Sequence, residues 1–115
     1  MTLKLVTPTN PAALSVPEIL RMLRFAANIN QHGMASLLEC SQGSVSKLEI
    51  GELAPTVHQL LKIRENFGVS ADSFLDGMID YKSVALKFGN RKFQPYESLK
   101  KVKEKTKQLH FKATA

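Results

Sequence analysis

The chain has no tryptophan, a single cysteine among 115 residues, and aromatic side chains at only 7% of positions. One cysteine, Cys40, excludes an internal disulfide and any cysteine-rich zinc site, and fits a reducing compartment. No apolar run approaches the roughly 20 residues that span a bilayer. Met1–Thr9 also lacks the apolar stretch of a secretory signal, so a cytoplasmic protein that does not enter a membrane is expected. His32, His58 and His110 lie far apart in sequence, without acidic or thiol partners at ligand spacing. They read as surface residues, and neither metal nor cofactor is expected. A glycine-rich phosphate loop, a carboxylate pair and a nucleophile–base arrangement are missing too, which argues against an enzyme.

What remains is an ordinary single-domain composition, 43% hydrophobic and 23% charged, with a formal net charge of +6. The excess is concentrated. Residues 1–81 carry six basic side chains against eight acidic ones, whereas 82–115 carry ten against two, so the first part is net −2 and the second +8. A near-neutral body, residues 15–78, is therefore expected between an N-terminal arm, 1–14, and a basic extension, 79–115.

Within the body, apolar residues recur at helical spacing between recognisable start and stop signals. Ser15-Val16-Pro17-Glu18 has the form of a capping box, and Ile19, Leu20, Leu23 and Ala27 follow on one face, with Arg21 and Arg24 expected to point elsewhere. Asn30 caps a second helix with Met34, Ala35 and Leu38 inward, and Ser41 a third with Val45 and Leu48 inward. Gly51 and Pro55 end the third. Thr56-Val57-His58-Gln59 repeats the capping-box form ahead of Leu60, Leu61, Ile63 and Phe67, and Gly68 closes that helix. Ser70 opens a short fifth helix, expected to turn Phe74 and Leu75 inward before Gly77. No strand is convincing. The second and third helices are joined too closely for a hairpin, and a helix-turn-helix is the natural result.

The stretch Gln31 to Gly51 resembles the helix-turn-helix of the lambda repressor/Cro (Xre-like) regulators. Gln31 opens the second helix, Ala35 is small where two helices cross, and Ser41…Val45-Ser46, Glu49-x-Gly51, Pro55 and Gly68-Val69-Ser70 follow in order. The likeness covers residues 19 to 76. It implies an all-α fold, a five-helix DNA-binding domain to which the basic C-terminal extension is added. It also implies a transcriptional regulator that reads double-stranded DNA through the outward face of the third helix. Gln42, Gly43, Ser44, Ser46 and Lys47 then meet base edges, while Gln31, Ser41 and Thr56 sit at helix starts where backbone amides favour phosphate. Capping alone also accounts for Ser41 and Thr56, and Glu49 reads as a structural corner. Small relatives without a ligand domain usually repress by occluding a promoter, as homodimers on an inverted repeat. An antitoxin-type autorepressor and a protein-binding helix-turn-helix module are the alternatives. Two features depart from the family pattern: Glu39 stands where glycine is usual in the turn, and Lys47 is the only cation of the third helix. Cys40 replaces a small aliphatic and reads as an apolar filler.

The extension is less decided. Tyr81, Val84, Ala85 and Phe88 fit a helical stripe, but Val84, Leu86 and Phe88 also alternate as in a strand before Gly89-Asn90. A sixth helix is the preferred reading. After Pro95, residues 96–110 read as a helix with Leu99, Val102, Thr106 and Leu109 as its apolar stripe and lysines at 100, 101, 103, 105 and 107. Three roles stay open: a stripe packed on the body or on a second subunit, a cationic arm on DNA phosphates, or a solvated end. A protein partner on this extension is a further option.

Overall fold

The computed structural model describes residues 14–114, with side chains described through Leu109. Residues 1–13 of the expected N-terminal arm and the side chain of His110 lie outside the described residues. Seven helices and no strand are present among the described residues: α1 Val16–Ala27, α2 Gln31–Leu38, α3 Gln42–Ile50, α4 Val57–Phe67, α5 Ala71–Asp76, α6 Tyr81–Lys87 and α7 Pro95–Thr114. The fold is all-α.

Each start has a local cause. The side chains of Ser15, Asn30, Ser41, Thr56, Ser70 and Asp80 accept from the backbone amide three residues on, and Ser15 and Thr56 complete reciprocal capping boxes with Glu18 and Gln59. The first five helices all end on a left-handed residue, and two of these are not glycine: Asn28 and Glu39, at φ 59° and 57°. Gly89 is left-handed after α6, and Pro95 opens α7, where its missing N–H costs nothing.

Helix α1 is the central strut. Ile19, Leu20, Met22, Leu23, Ala26 and Ala27 are all buried on one broad face, and the polar Glu18 and Arg21 are buried beside it. Helices α2 to α5 cover one side through Met34, Leu38, Val45, Leu48, Ile63, Phe67 and Phe74. Helices α6 and α7 and the segment between them cover the other through Val84, Ala85, Phe93 and Val102, all members of the same buried cluster. Residues 79–109 thus share the core of residues 15–78. The stripe expected on the last helix faces α1: Val102 is 0% exposed and Leu99 packs against the cluster.

Three expected orientations are corrected. Arg21 does not point away; it is 3% exposed, because α7 closes over it. Its guanidinium donates to the Glu49 carbonyl, to the Val102 carbonyl at 3.1 Å and to Thr106 Oγ1 at 2.8 Å. Leu61 and Leu75 do not face in; they are 40% and 66% exposed. Ile63 and Phe67 fill the narrow inner arc of α4, and the six residues of α5 present only Phe74 to the core.

A second polar group seals α7. Thr106 Oγ1 donates to Glu18 Oε2 at 2.6 Å, and Lys103 Nζ lies 3.2 Å from Glu18 Oε1. Asn90 Nδ2 donates to the Ala26 carbonyl at 2.9 Å and to the Phe25 carbonyl at 3.3 Å, satisfying the end of α1 from across the chain. The half-buried Tyr81 has a hydroxyl without a partner among the described residues, and burial pushes its phenol pKa up to about 12.

Burial raises the pKa of the Glu18 carboxyl. The hydrogen bonds from Thr106, from the Ser15 amide and from Lys103, with the charge of Lys103, together outweigh it, and the net shift is downward. A carboxylate with a folded pKa below its unfolded value adds stability above the unfolded pKa, about 4.3. That contribution disappears as the pH falls through the folded value. Urea denaturation at pH 7 and at pH 3 is therefore expected to show a smaller acid-induced loss for Glu18→Gln than for the wild type. Equal losses would remove Glu18 as the source.

Candidate nucleic-acid interface

Helices α2 and α3 are joined by Glu39-Cys40-Ser41. Glu39 adopts the left-handed conformation that glycine would take most readily, at φ 57° and ψ 50°. Its carboxylate stays in solvent, 2.9 Å from His58 Nε2 and 3.2 Å from Lys62 Nζ, and these bonds hold its pKa below the ordinary value. The turn is thereby anchored to α4. Cys40 is half-buried against the core, and burial pushes its thiol pKa up.

Val45 and Leu48 are the buried side of α3 and fix which residues point outward. Gly43 and Lys47 are exposed, and Gln42, Ser44 and Ser46 are half-exposed. A Cβ built on Gly43 would meet only Ser41 Oγ, at 3.8 Å, so packing does not require glycine there. It leaves the backbone bare on the outward face.

Glu49 organises the polar layer beneath. It is 2% exposed and takes Arg24 Nε at 2.7 Å and Nη2 at 3.0 Å, a bidentate pair between α1 and α3. Its Oε1 also accepts from Gln31 Nε2 at 3.1 Å, and Gln31 Oε1 accepts from Gln42 Nε2 at 2.5 Å. The first residues of α2 and α3 are thus locked together, each amide spending one N–H on the chain. The remaining N–H of Gln31, and the carbonyl with the second N–H of Gln42, stay available for a ligand.

Of the residues singled out in the sequence, Gln31 and Gln42 are brought into contact, and Ser41 and Ser44 are bonded hydroxyl to hydroxyl at 3.0 Å. Ser46 lines a cleft with Gln31, and Lys47 stands exposed on α3. Thr56 lies exposed at the start of α4, where its hydroxyl accepts from the Gln59 amide at 3.1 Å. The hydroxyls of Ser41 and Thr56 both serve as caps. The sequence reading missed Arg24 as the partner of Glu49, although its one-turn spacing from Arg21 was visible. The lysines of α7 were readable only as a group; two of them, Lys101 and Lys105, line the same cleft as Gln31 and Ser46.

Residues 20–74 match the model of a family described as helix-turn-helix. This part of the chain belongs to the lambda repressor/Xre-like helix-turn-helix family. It is a Cro/C1-type DNA-binding domain of the kind that regulates transcription, and the family is a regulatory rather than an enzymatic one. No curated protein and no solved structure matches the chain. Among the described residues no helix is long and apolar enough to cross a membrane, and no cluster of three metal-ligating side chains occurs.

Two stability measurements probe this layer. Glu49→Ala strands the Arg24 guanidinium, which is 15% exposed, and is expected to cost about 2–4 kcal/mol in urea denaturation; a cost within 0.5 kcal/mol of zero would contradict the role given to Glu49. Gly43→Ala adds a side chain into open space on a helix and should stabilise by roughly 0.5 kcal/mol, visible as a small rise in Tm.

Proposed function

We propose that the protein is a sequence-specific repressor that binds an inverted-repeat operator in double-stranded DNA as a homodimer. The observation that carries this reading is the outward face of α3. Gln42, Ser44, Ser46 and Lys47 project from a helix fixed by Val45 and Leu48, and the body covers none of them fully. Gln42 suits adenine, the serines donate or accept, and Lys47 reaches guanine or phosphate. Gln31 holds Gln42 in place and offers its free N–H to a phosphate, with Ser41 and Thr56 presenting the amides of the next helix starts. Gly43 allows the backbone to approach the groove. Two such helices, one helical turn of DNA apart, would read the two halves of a dyad. Leu75 and Met78, apolar and exposed in the protomer, support self-association.

The antitoxin reading places its partner on the C-terminal extension, and the protein-binding reading places it there or on α3. The stripe of α7 is turned onto α1, which weighs against a partner seated on that stripe.

Footprinting on the DNA upstream of the protein's own gene tests the proposal. A protected dyad is expected for the wild type. Gln42→Ala should lose about tenfold or more in preference for that site over a scrambled duplex, and Lys47→Ala should weaken binding. Absence of any protected site there and in a genomic pull-down would reject the reading, and sedimentation of the full chain as a monomer at binding concentrations would reject the dimer.

A further inference from the structure

Residues 1–81, which contain the whole helix-turn-helix, are net −2, and α3 offers one cation, Lys47, against the buried Glu49. Duplex affinity rests largely on neutralising phosphates, so this surface lacks a source of attraction. The fold places one beside it. An open cleft of about 400 Å³ lies between α1, α3 and α7, with Gln31 and Ser46 on the helix-turn-helix side and Lys101 and Lys105 on the α7 side.

The lysines of α7 are not equivalent. Lys103 is committed to Glu18 at 3.2 Å, and Lys100 lies over the Tyr96 ring, 5.5 Å from its centroid. Lys101 and Lys105 are four residues apart, on one flank of the helix, both exposed and without an acidic partner within 4 Å among the described residues. One carboxylate that could oppose an anion there, Glu104, lines the cleft as well. The cleft walls carry four cations against two carboxylates, but Arg24 is bound to Glu49, and Arg21 is buried among the Glu49 carbonyl, Val102 and Thr106. The uncommitted positive charge is that of Lys101 and Lys105.

We propose that α7 is a second DNA-contacting element, in which Lys101 and Lys105 hold backbone phosphates of the duplex beside the groove entered by α3. The inference rests on the DNA-binding reading of α3 and adds a phosphate site on an element outside the helix-turn-helix. Because α7 is docked on α1 by Val102, Thr106 and Lys103, the two lysines are presented at a fixed distance from α3 rather than on a flexible arm. They raise affinity for every sequence alike.

The test uses the full chain and a 30-base-pair duplex of mixed sequence, with affinity measured by fluorescence anisotropy between 50 and 200 mM salt. Lys101→Gln/Lys105→Gln is expected to bind about ten- to hundredfold more weakly at 0.1 M salt, with the log–log salt slope shallower by about 2. Lys100→Gln/Lys107→Gln removes the same charge from residues that do not line the cleft, and should change the slope by less than half as much. All four positions are exposed, and thermal melts of both variants should match the wild type. Equal slopes for the two double variants, or a wild-type slope for Lys101→Gln/Lys105→Gln, would overturn the inference and leave the α3 reading intact. A wild type that binds no duplex even at 50 mM salt would remove both.

Discussion

Glu49 is the residue on which the arrangement turns. Its carboxylate receives the guanidinium of Arg24 and the amide of Gln31, while its carbonyl receives the guanidinium of Arg21. Burying a carboxylate is expensive unless every lone pair finds a donor, and here α1 and α2 supply them. The orientation of α3 is therefore set by charge and hydrogen bonding as well as by Val45 and Leu48. Two arginines one turn apart on α1 divide the work: Arg24 binds the side chain, and Arg21 binds the main chain and then continues to α7. Helix α3 and the C-terminal helix are tied to the same point.

That linkage explains why the charge asymmetry of the chain does not divide it into independent parts. The acidic-leaning body and the basic extension meet across α1, where Glu18 takes up one lysine of α7 and a threonine beside it. The hydroxyl of Thr106 lies between Glu18 and Arg21, donating to the first and accepting from the second. A residue that looked like a small member of an apolar stripe is thus the polar centre of the docking surface.

Much of this was legible in advance. The caps Ser15, Asn30, Ser41, Thr56 and Ser70 stand where their sequence signals put them, because capping is a local chemistry that four residues suffice to specify. Helix α6 was ambiguous between helix and strand, and its helical form follows from Asp80 as a cap and from Val84 and Ala85 meeting α1. What escaped sequence reasoning was long-range. Periodicity marks Arg21 as polar and hence outward, and says nothing of a later helix closing over it. It marks Leu61 and Leu75 as apolar and hence inward, without knowing that Ile63, Phe67 and Phe74 already fill the space. Gly89-Asn90 signalled a turn, but its amide's role in ending α1 joins positions 64 residues apart. At the site, the residue types on α3 were readable, whereas the Gln42–Gln31–Glu49–Arg24 chain is a product of three helices meeting.

Val102 gives the C-terminal helix a different standing from that of a tail. Its side chain is wholly enclosed, and the apolar faces of α1 and α6 close against the segment that carries it and Phe93. A shortened chain ending before α7 would not be the same domain minus an accessory. It would be an open core, with Arg21 and Glu18 stripped of their α7 partners and a hydrophobic wall facing water. For this protein, the length of chain that shares one core exceeds the length of the helix-turn-helix.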